Sequence, residues 1–358
     1  MAYGSAAMGN HIIGTGIAQP PLEVTNDDLS RIMDTSDDWI LRRTGVARRR
    51  FVAPGTGASD LAVEACQLAL DSADLTVDDI DLLVTATMTP DYFAPGIAPL
   101  VHNKLGLESG AAFDVRHQCS GFLYALDLAD AQLASGRART ALVVGAEVHA
   151  GYLRFGQNWD VLRGRTDTIN AADYAASTDS RGWAVLFGDG AGAMVLQADE
   201  RSGGISTSAL HTDGSLFKLI HVPGAGFVHQ PWLDGTQLDA GLHLPHMDGS
   251  SLFKNAVRLM PAAVREVAAA DGRTVDDIDL VVSHQANDRI TVAMRAELGV
   301  DVETAPSNIA AHGNTTAATL PILFHELRSQ GQVQSGDYVV FTAFGAGAHW
   351  GAIGYVVP

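Results

Sequence analysis

The chain has 358 residues, with 41 acidic side chains against 23 Lys and Arg and a net charge of −18. That balance argues against nucleic acid, whose phosphates need a basic face, and the longest apolar runs, such as ALVVGAEV, fall far short of the ~20 residues of a membrane span. Two cysteines, Cys66 and Cys119, make neither a disulfide framework nor a zinc site, so a reducing, cytoplasmic setting without a bound metal is expected.

The opening MAYGSAAMGN has no basic n-region and no apolar h-region, so residues 1–10 read as a tag or unstructured start rather than a signal peptide. A strand, HIIGTGIAQ, follows. Next comes a helix-periodic segment, ASDLAVEACQLALDSADL, then TVDDIDL (Thr76 to Leu82) and an apolar strand, DLLVTATM. The same seven residues return at Thr274 to Leu280, 198 positions on (274 − 76). They again follow a helix-periodic segment, SLFKNAVRLMPAAVREVAAADG, and again enter a β-branched run, DLVVSHQ. Matching flanks make this a duplication rather than a coincidence. The halves are placed at 11–200 and 201–358. Strands GAAFDV, TALVVGAEV and GAMVLQAD complete the first half; YVVFTAF and WGAIGYVV complete the second. Apolar strands alternating with helices predict an α/β fold with sheets covered on both faces. Two stretches break the rhythm, 151–180 and 214–245, and long irregular segments of this kind usually serve as lids or binding loops. FGDGAGAMVL (Phe187 to Leu196) lacks the G-x-G-x-x-G spacing and precedes a strand, so it is not a dinucleotide loop.

Three residues could carry chemistry. Cys119, in FDVRHQCSGFLYALDLADAQLASG, falls between a strand end and an apolar helix, where unsatisfied N–H groups should stabilise a thiolate and lower its pKa. Cys66, inside the amphipathic LAVEACQLAL, reads as a small buried hydrophobe. His284, in VVSHQANDRI, sits at a strand exit, where α/β sheets place functional groups. Asn314, in SNIAAHGNTTAATLPILFHEL, opens the helix that occupies, in the repeat, the place of the Cys119 helix. Taken singly, His284 reads as a structural histidine and Asn314 as a turn residue; duplication draws both helix starts toward one centre.

TSDDWILRRTGVARRR, DVRHQCSGFLYAL, LFGDGAGAMVL, SHQANDRI, AHGNTTAATLP and AFGAGAHWGAIGYV, in order along the chain, resemble the motifs of ketoacyl synthase III, the β-ketoacyl-acyl-carrier-protein synthase that starts fatty-acid chains. The resemblance implies an internally duplicated thiolase fold in five layers, αβαβα, and a homodimer. It implies acyl-CoA and acyl carrier protein as partners, with no cofactor beyond their thioesters. Cys119 resembles the nucleophile; His284 and Asn314 resemble the pair that holds the extender's thioester oxygen as carbon dioxide leaves. The N–H groups of Cys119 and Ala346 would form the oxyanion hole. Trp39 and Arg181 match positions flanking the adenine of coenzyme A. Arg43, Met247, Gly249, Phe253, Ala286 and Asn287 match the pantetheine tunnel, and Lys254 and Arg289 its mouth. Arg258, one helical turn after Lys254, joins them as a carrier-docking candidate. Phe93 matches a position that reaches across the dimer to close the acyl pocket.

Two departures point to a relative from specialised metabolism with a primer other than acetyl. Arg116, His117 and Gln118 stand before the nucleophile where the family has small residues, and 151–180 is longer than in the chain-starting enzymes, which suggests that it shapes the acyl site. Joining of two acyl or β-ketoacyl chains, or acyl transfer to a hydroxyl or amine, remain alternatives within the family. A papain-like hydrolase shares the order Cys, His, Asn but lacks that family's local cysteine signature. A non-catalytic partner subunit would be expected to lack the nucleophile.

Overall fold

The computed structural model describes residues 9–358. Residues 1–8 of the expected unstructured start lie outside them, while Gly9 and Asn10 already belong to the first strand, Gly9–Ala18. Two sheets carry the fold. The first has the spatial order Gly9–Ala18, Gly190–Asp199, Thr140–Glu147, Leu82–Ala86, Ala111–Val115. The second has the order Gly204–Thr212, His349–Val356, Tyr338–Gly345, Leu280–Ser283. It repeats the first, with parallel pairing only at the corresponding strands, and lacks a counterpart of the edge strand Ala111–Val115. The Gly204–Thr212 strand is not among the strands expected from sequence. Its Ser and Thr residues alternate in a half-solvated edge position, so it has no apolar run to announce it.

Helices between and outside the two sheets build the three largest hydrophobic cores. Helices Gly121–Ala134 and Thr319–Ser329 lie between the two sheets, where Phe122, Leu126, Leu323 and Phe324 meet Val84, Val143, Val282 and Phe341. Ala58–Asp71 and Ala98–Leu105 cover the outer face of the first sheet. Gly249–Ala270 and Asp288–Leu298 cover the outer face of the second. The result is five layers, αβαβα, as the resemblance implies.

Both copies of TVDDIDL do the same structural work. The Asp79 carboxylate accepts from Thr76 N and Oγ1 at 2.8 and 3.0 Å, and Asp277 accepts from Thr274 N and Oγ1 at 2.7 and 2.9 Å. Each pair closes a capping box on a single 3₁₀ turn. The last Asp of the motif pins the neighbouring strand. Asp81 N donates to Thr140 O and Asp279 N to Tyr338 O, both at 3.0 Å, while their carboxylates accept from Thr140 N and Tyr338 N. The repeated sequence is therefore a repeated strand entry.

The 151–180 segment folds into short helical turns, among them Trp159–Leu162 and Ala171–Asp179. Its Leu153, Phe155 and Val161 are buried against Leu29, Ile32, Ile40 and Phe51. That packing explains the segment's order: its aromatic residues bury their surface against the first helices and not against the centre of the molecule.

Candidate active site

Cys119 stands in a 3₁₀ turn, Gln118–Ser120, that runs directly into the helix Gly121–Ala134. Asn314 stands two residues before the matching turn, Thr316–Ala318, which runs into Thr319–Ser329. His284 follows the last residue of the strand Leu280–Ser283, its N–H donating to Thr342 O at 2.9 Å. These three residues, far apart in sequence, line one cavity of about 390 Å³. Leu186, Phe187, Met247, Phe253, Met260 and Phe344 give it an apolar wall.

The positions of the side chains have identifiable causes. Asn314 N donates to Leu186 O at 2.8 Å and Asn314 O accepts from Gly188 N at 3.1 Å, so the backbone is tied to the Phe187 segment. The Asn314 Oδ1 accepts from Thr316 N at 2.8 Å, which leaves Nδ2 as the group free to face a ligand; its contact with Ala286 O is long, 3.4 Å. His284 Nδ1 lies 2.7 Å from Thr319 Oγ1, which lies 2.9 Å from Thr316 O. The Thr319 hydroxyl can serve either tautomer. Donating to Thr316 O, it accepts from Nδ1–H and leaves Nε2 a lone pair; donating to Nδ1, it leaves an Nε2–H. His284 Nε2 is buried and has no partner among the described residues. Burial drives the His284 pKa down to about 3, so the ring is neutral.

The thiol departs from the sequence expectation. Cys119 is 6% exposed, and its pKa is pushed up to about 12 by burial and, secondarily, by the Glu147 charge. Its own N–H turned toward the sulfur opposes this only in part. Desolvation outweighs the turn's N–H groups, and the resting Cys119 side chain is a thiol. Cys66 is also fully buried and its thiol is raised further, as its core position requires.

The other predicted residues divide into groups. Met247, Gly249, Phe253, Ala286 and Asn287 line the cavity, as do Lys254 and Arg289, both exposed. Arg258 is exposed and does not line it; its guanidinium reaches Asn255. Trp39 lies between two guanidinium groups, Arg43 at 4.1 Å and Arg181 at 4.8 Å from the ring centre, with Asn287 Nδ2 donating to Arg43 O at 2.9 Å. Ala346 is buried one residue beyond Gly345, which lines the cavity. Phe93 is 53% exposed and packs on Phe227 and Trp232, away from the cavity of its own chain. No residue of 151–180 is among those lining this cavity; Tyr152, Arg154, Asp179 and Ser180 line a neighbouring pocket that shares Met247 with it. His117 stacks on Tyr124, ring centres 4.4 Å apart, with His349 at 4.2 Å.

Sequence reasoning missed Thr319, Glu147 and Phe344. Thr319 stands in the quoted AHGNTTAATLP, and its signal was proximity to Asn314. Glu147 closes the strand TALVVGAE, fully buried, with its pKa pushed up to about 7 by burial. The Asp189 carboxylate in the Gly-rich FGDGAGA accepts from Val52, His149 and Ala150 N–H groups, so that loop is structural.

Comparison with known proteins places this geometry. The family model of 3-oxoacyl-[acyl-carrier-protein] synthase III matches residues 113–214, and that of the same synthase's C-terminal region matches 268–356. The β-ketoacyl-[acyl-carrier-protein] synthase III of Rhodospirillum centenum is 41% identical over 345 residues, 95% of this chain and 97% of the relative. The crystal structure of 3-oxoacyl-[acyl-carrier-protein] synthase III from Aquifex aeolicus is 36% identical with a TM-score of 0.81, covering 97% of this chain and 100% of that one. A priming β-ketosynthase from a polyketide biosynthetic pathway is 28% identical with a TM-score of 0.83, covering 100% of this chain and 98% of that one.

Proposed function

Because this chain belongs to the 3-oxoacyl-[acyl-carrier-protein] synthase III family, we propose that it loads an acyl group from a coenzyme A or carrier-protein thioester onto Cys119. It then condenses that group with an extender thioester, with loss of carbon dioxide, in fatty-acid or polyketide-type biosynthesis. The observation that carries this reading is the convergence of Cys119, His284 and Asn314 on one apolar cavity.

In the loading step, the Cys119 S–H proton passes to the His284 Nε2 lone pair as sulfur attacks the thioester carbon. The tetrahedral oxygen takes hydrogen bonds from the N–H groups of Cys119 and Ala346. The imidazolium returns its proton to the departing thiolate. A thiol as weakly acidic as Cys119 needs that acceptor beside it. In the condensing step, His284 Nε2–H and Asn314 Nδ2–H hold the extender's thioester oxygen. The carboxylate leaves as carbon dioxide, the resulting enolate attacks the acyl-Cys carbonyl, and the tetrahedral intermediate collapses by breaking the C–S bond, the released Cys119 sulfur taking up one proton from solvent to become the thiol again. Each such donor is worth roughly 3–4 kcal/mol to the enolate in a dry site. The thioesters are the only cosubstrates this chemistry requires.

The test is intact mass after incubation with a panel of acyl-CoA and acyl-carrier thioesters, followed by peptide mapping. We expect a single acyl increment on Cys119. Label on Cys66, or none with any donor, would sink the reading. His117, Arg116 and Gln118 before the nucleophile lead us to expect donors other than acetyl among the best.

A carrier protein is acidic, as this chain is, so docking needs a local basic surface. Lys254 and Arg289 supply it at the cavity, with Arg258 beside them. Lys254→Glu or Arg289→Glu should raise KM for a carrier-bound substrate about fivefold or more at low salt, and less at 0.5 M salt, because surface attraction is screened. An unchanged KM at low salt would argue against this surface. We further propose a homodimer. The edge strand Ala111–Val115 is largely exposed, and Phe93 stands out from the surface where a second copy's acyl pocket could receive it.

A further inference from the structure

We propose that Glu147 is the positioning residue for Asn314: its buried carboxyl group is the resident hydrogen-bond acceptor of the turn that aims the Asn314 amide. The inference rests on the ketosynthase reading above.

The two halves keep equal spacing. Gln118 and Thr316, 198 positions apart (316 − 118), both have left-handed backbone, with φ of 48° and 45°. Each opens a 3₁₀ turn before its central helix. Ser120 N donates to His117 O at 3.2 Å, and Ala318 N donates to Thr315 O at 3.0 Å. The same spacing pairs Cys119 with Ala317 and Glu147 with Gly345, the last residues of the equivalent strands Thr140–Glu147 and Tyr338–Gly345. Each strand end lies against the other half's turn. A Cβ on Gly345 would stand 2.7 Å from Ser120 N, and one on Gly145 would stand 2.5 Å from Ala317 O.

The halves differ in chemistry at this place. Gly345 brings no side chain to the Cys119 turn, whose N–H is the proposed donor to a substrate oxygen. Glu147 brings a carboxylate to the Asn314 turn. Thr89 Oγ1 donates to it at 2.6 Å, Thr87 Oγ1 and Met88 N at 3.2 Å, and Ala317 N at 3.5 Å. No cation pairs with it among the described residues. A fully buried carboxylate without a cation persists only where N–H and O–H donors converge on it. Here the donors include Ala317 N, which belongs to the same strained turn as Thr316. Left-handed backbone at a β-branched residue is unfavourable and stays only where its surroundings impose it. Thr316 N is the group that fixes Asn314 Oδ1, so the carboxylate, the turn and the amide form one chain of contacts.

The test separates the half-reactions. Glu147→Gln puts an NH₂ donor among donors. We expect carbon dioxide release from a malonyl thioester to fall about tenfold or more, the size of one lost well-placed hydrogen bond, while loading of Cys119 stays within about twofold. Glu147→Asp, which keeps the charge on a shorter arm, should recover part of the loss and serves if the Gln variant is insoluble. Equal losses in both half-reactions, or unchanged carbon dioxide release, overturn the proposal. Asn314→Ala run alongside distinguishes the failures. If Asn314→Ala itself decarboxylates normally, the ketosynthase assignment of Asn314 falls; if it is inactive and both Glu147 variants are normal, only this inference falls.

Discussion

Cys119→Ala is expected to lose acyl loading by about 10,000-fold or more, the scale seen when a covalent enzyme loses its nucleophile, yet still release carbon dioxide from a malonyl thioester. In the proposed mechanism the enolate forms on the extender alone, held by donors on His284 and Asn314, without the sulfur. Asn314→Ala should show the mirror image: loading near that of the parent, with carbon dioxide release down about 100-fold or more, the usual loss of one oxyanion donor. His284→Ala should fail in both, because the neutral imidazole is assigned the thiol's proton in one step and the enolate's oxygen in the other. Acyl-enzyme is read by mass spectrometry and carbon dioxide by label from a malonyl thioester. Product formation by the parent without carbon dioxide from any malonyl donor would transfer the assignment to chain joining or acyl transfer.

A single methyl group on Gly345 should also disable loading. The added Cβ would stand 2.7 Å from Ser120 N and 3.0 Å from His117 O, both backbone atoms of the nucleophile turn. That turn includes left-handed Gln118 and feeds the central helix, so it has no simple direction in which to yield. Gly345→Ala should slow loading about 100-fold and lower stability by about 1–3 kcal/mol, the range of overpacking in a dense interior. Gly151→Ala, where a Cβ meets nothing within 4 Å, is the matched control and should change neither. Loading at the parent rate in Gly345→Ala, measured by acyl-enzyme formation with melting temperature in parallel, would show that the turn moves freely.

The parts legible in sequence were those written as patterns. The apolar strands Leu82–Ala86, Thr140–Glu147, Leu280–Ser283 and Tyr338–Gly345 declare themselves by β-branched runs bounded by turn residues. The repeat of TVDDIDL relates the two halves from the sequence alone, because each copy caps the turn that enters the corresponding strand. Cys119, His284 and Asn314 were readable because each ends a strand or opens a helix at corresponding places. What sequence hid was environment. Helix-start placement argued for an acidic thiol, but enclosure of Cys119 by Phe187, Phe344 and their neighbours reverses the sign, and enclosure is a property of packing alone. The strand Gly204–Thr212 was invisible because its polar alternation matches that of a loop. Nor does any periodicity in 151–180 announce that its Phe155 and Trp159 complete a peripheral core with the first helices.

The equal spacing of the halves acts as a ruler. The helix Gly121–Ala134 has 14 residues and its counterpart Thr319–Ser329 has 11, yet the strands that follow begin at Thr140 and Tyr338, still 198 positions apart (338 − 140). What one half winds into helix the other lays out as loop, and the contour length is the quantity held constant. A residue added to either arm would carry one turn out of phase with the strand end that crosses it. The difference between the halves lies outside the arms: residues 148–189 join Glu147 to Gly190, where only 346–348 join Gly345 to His349.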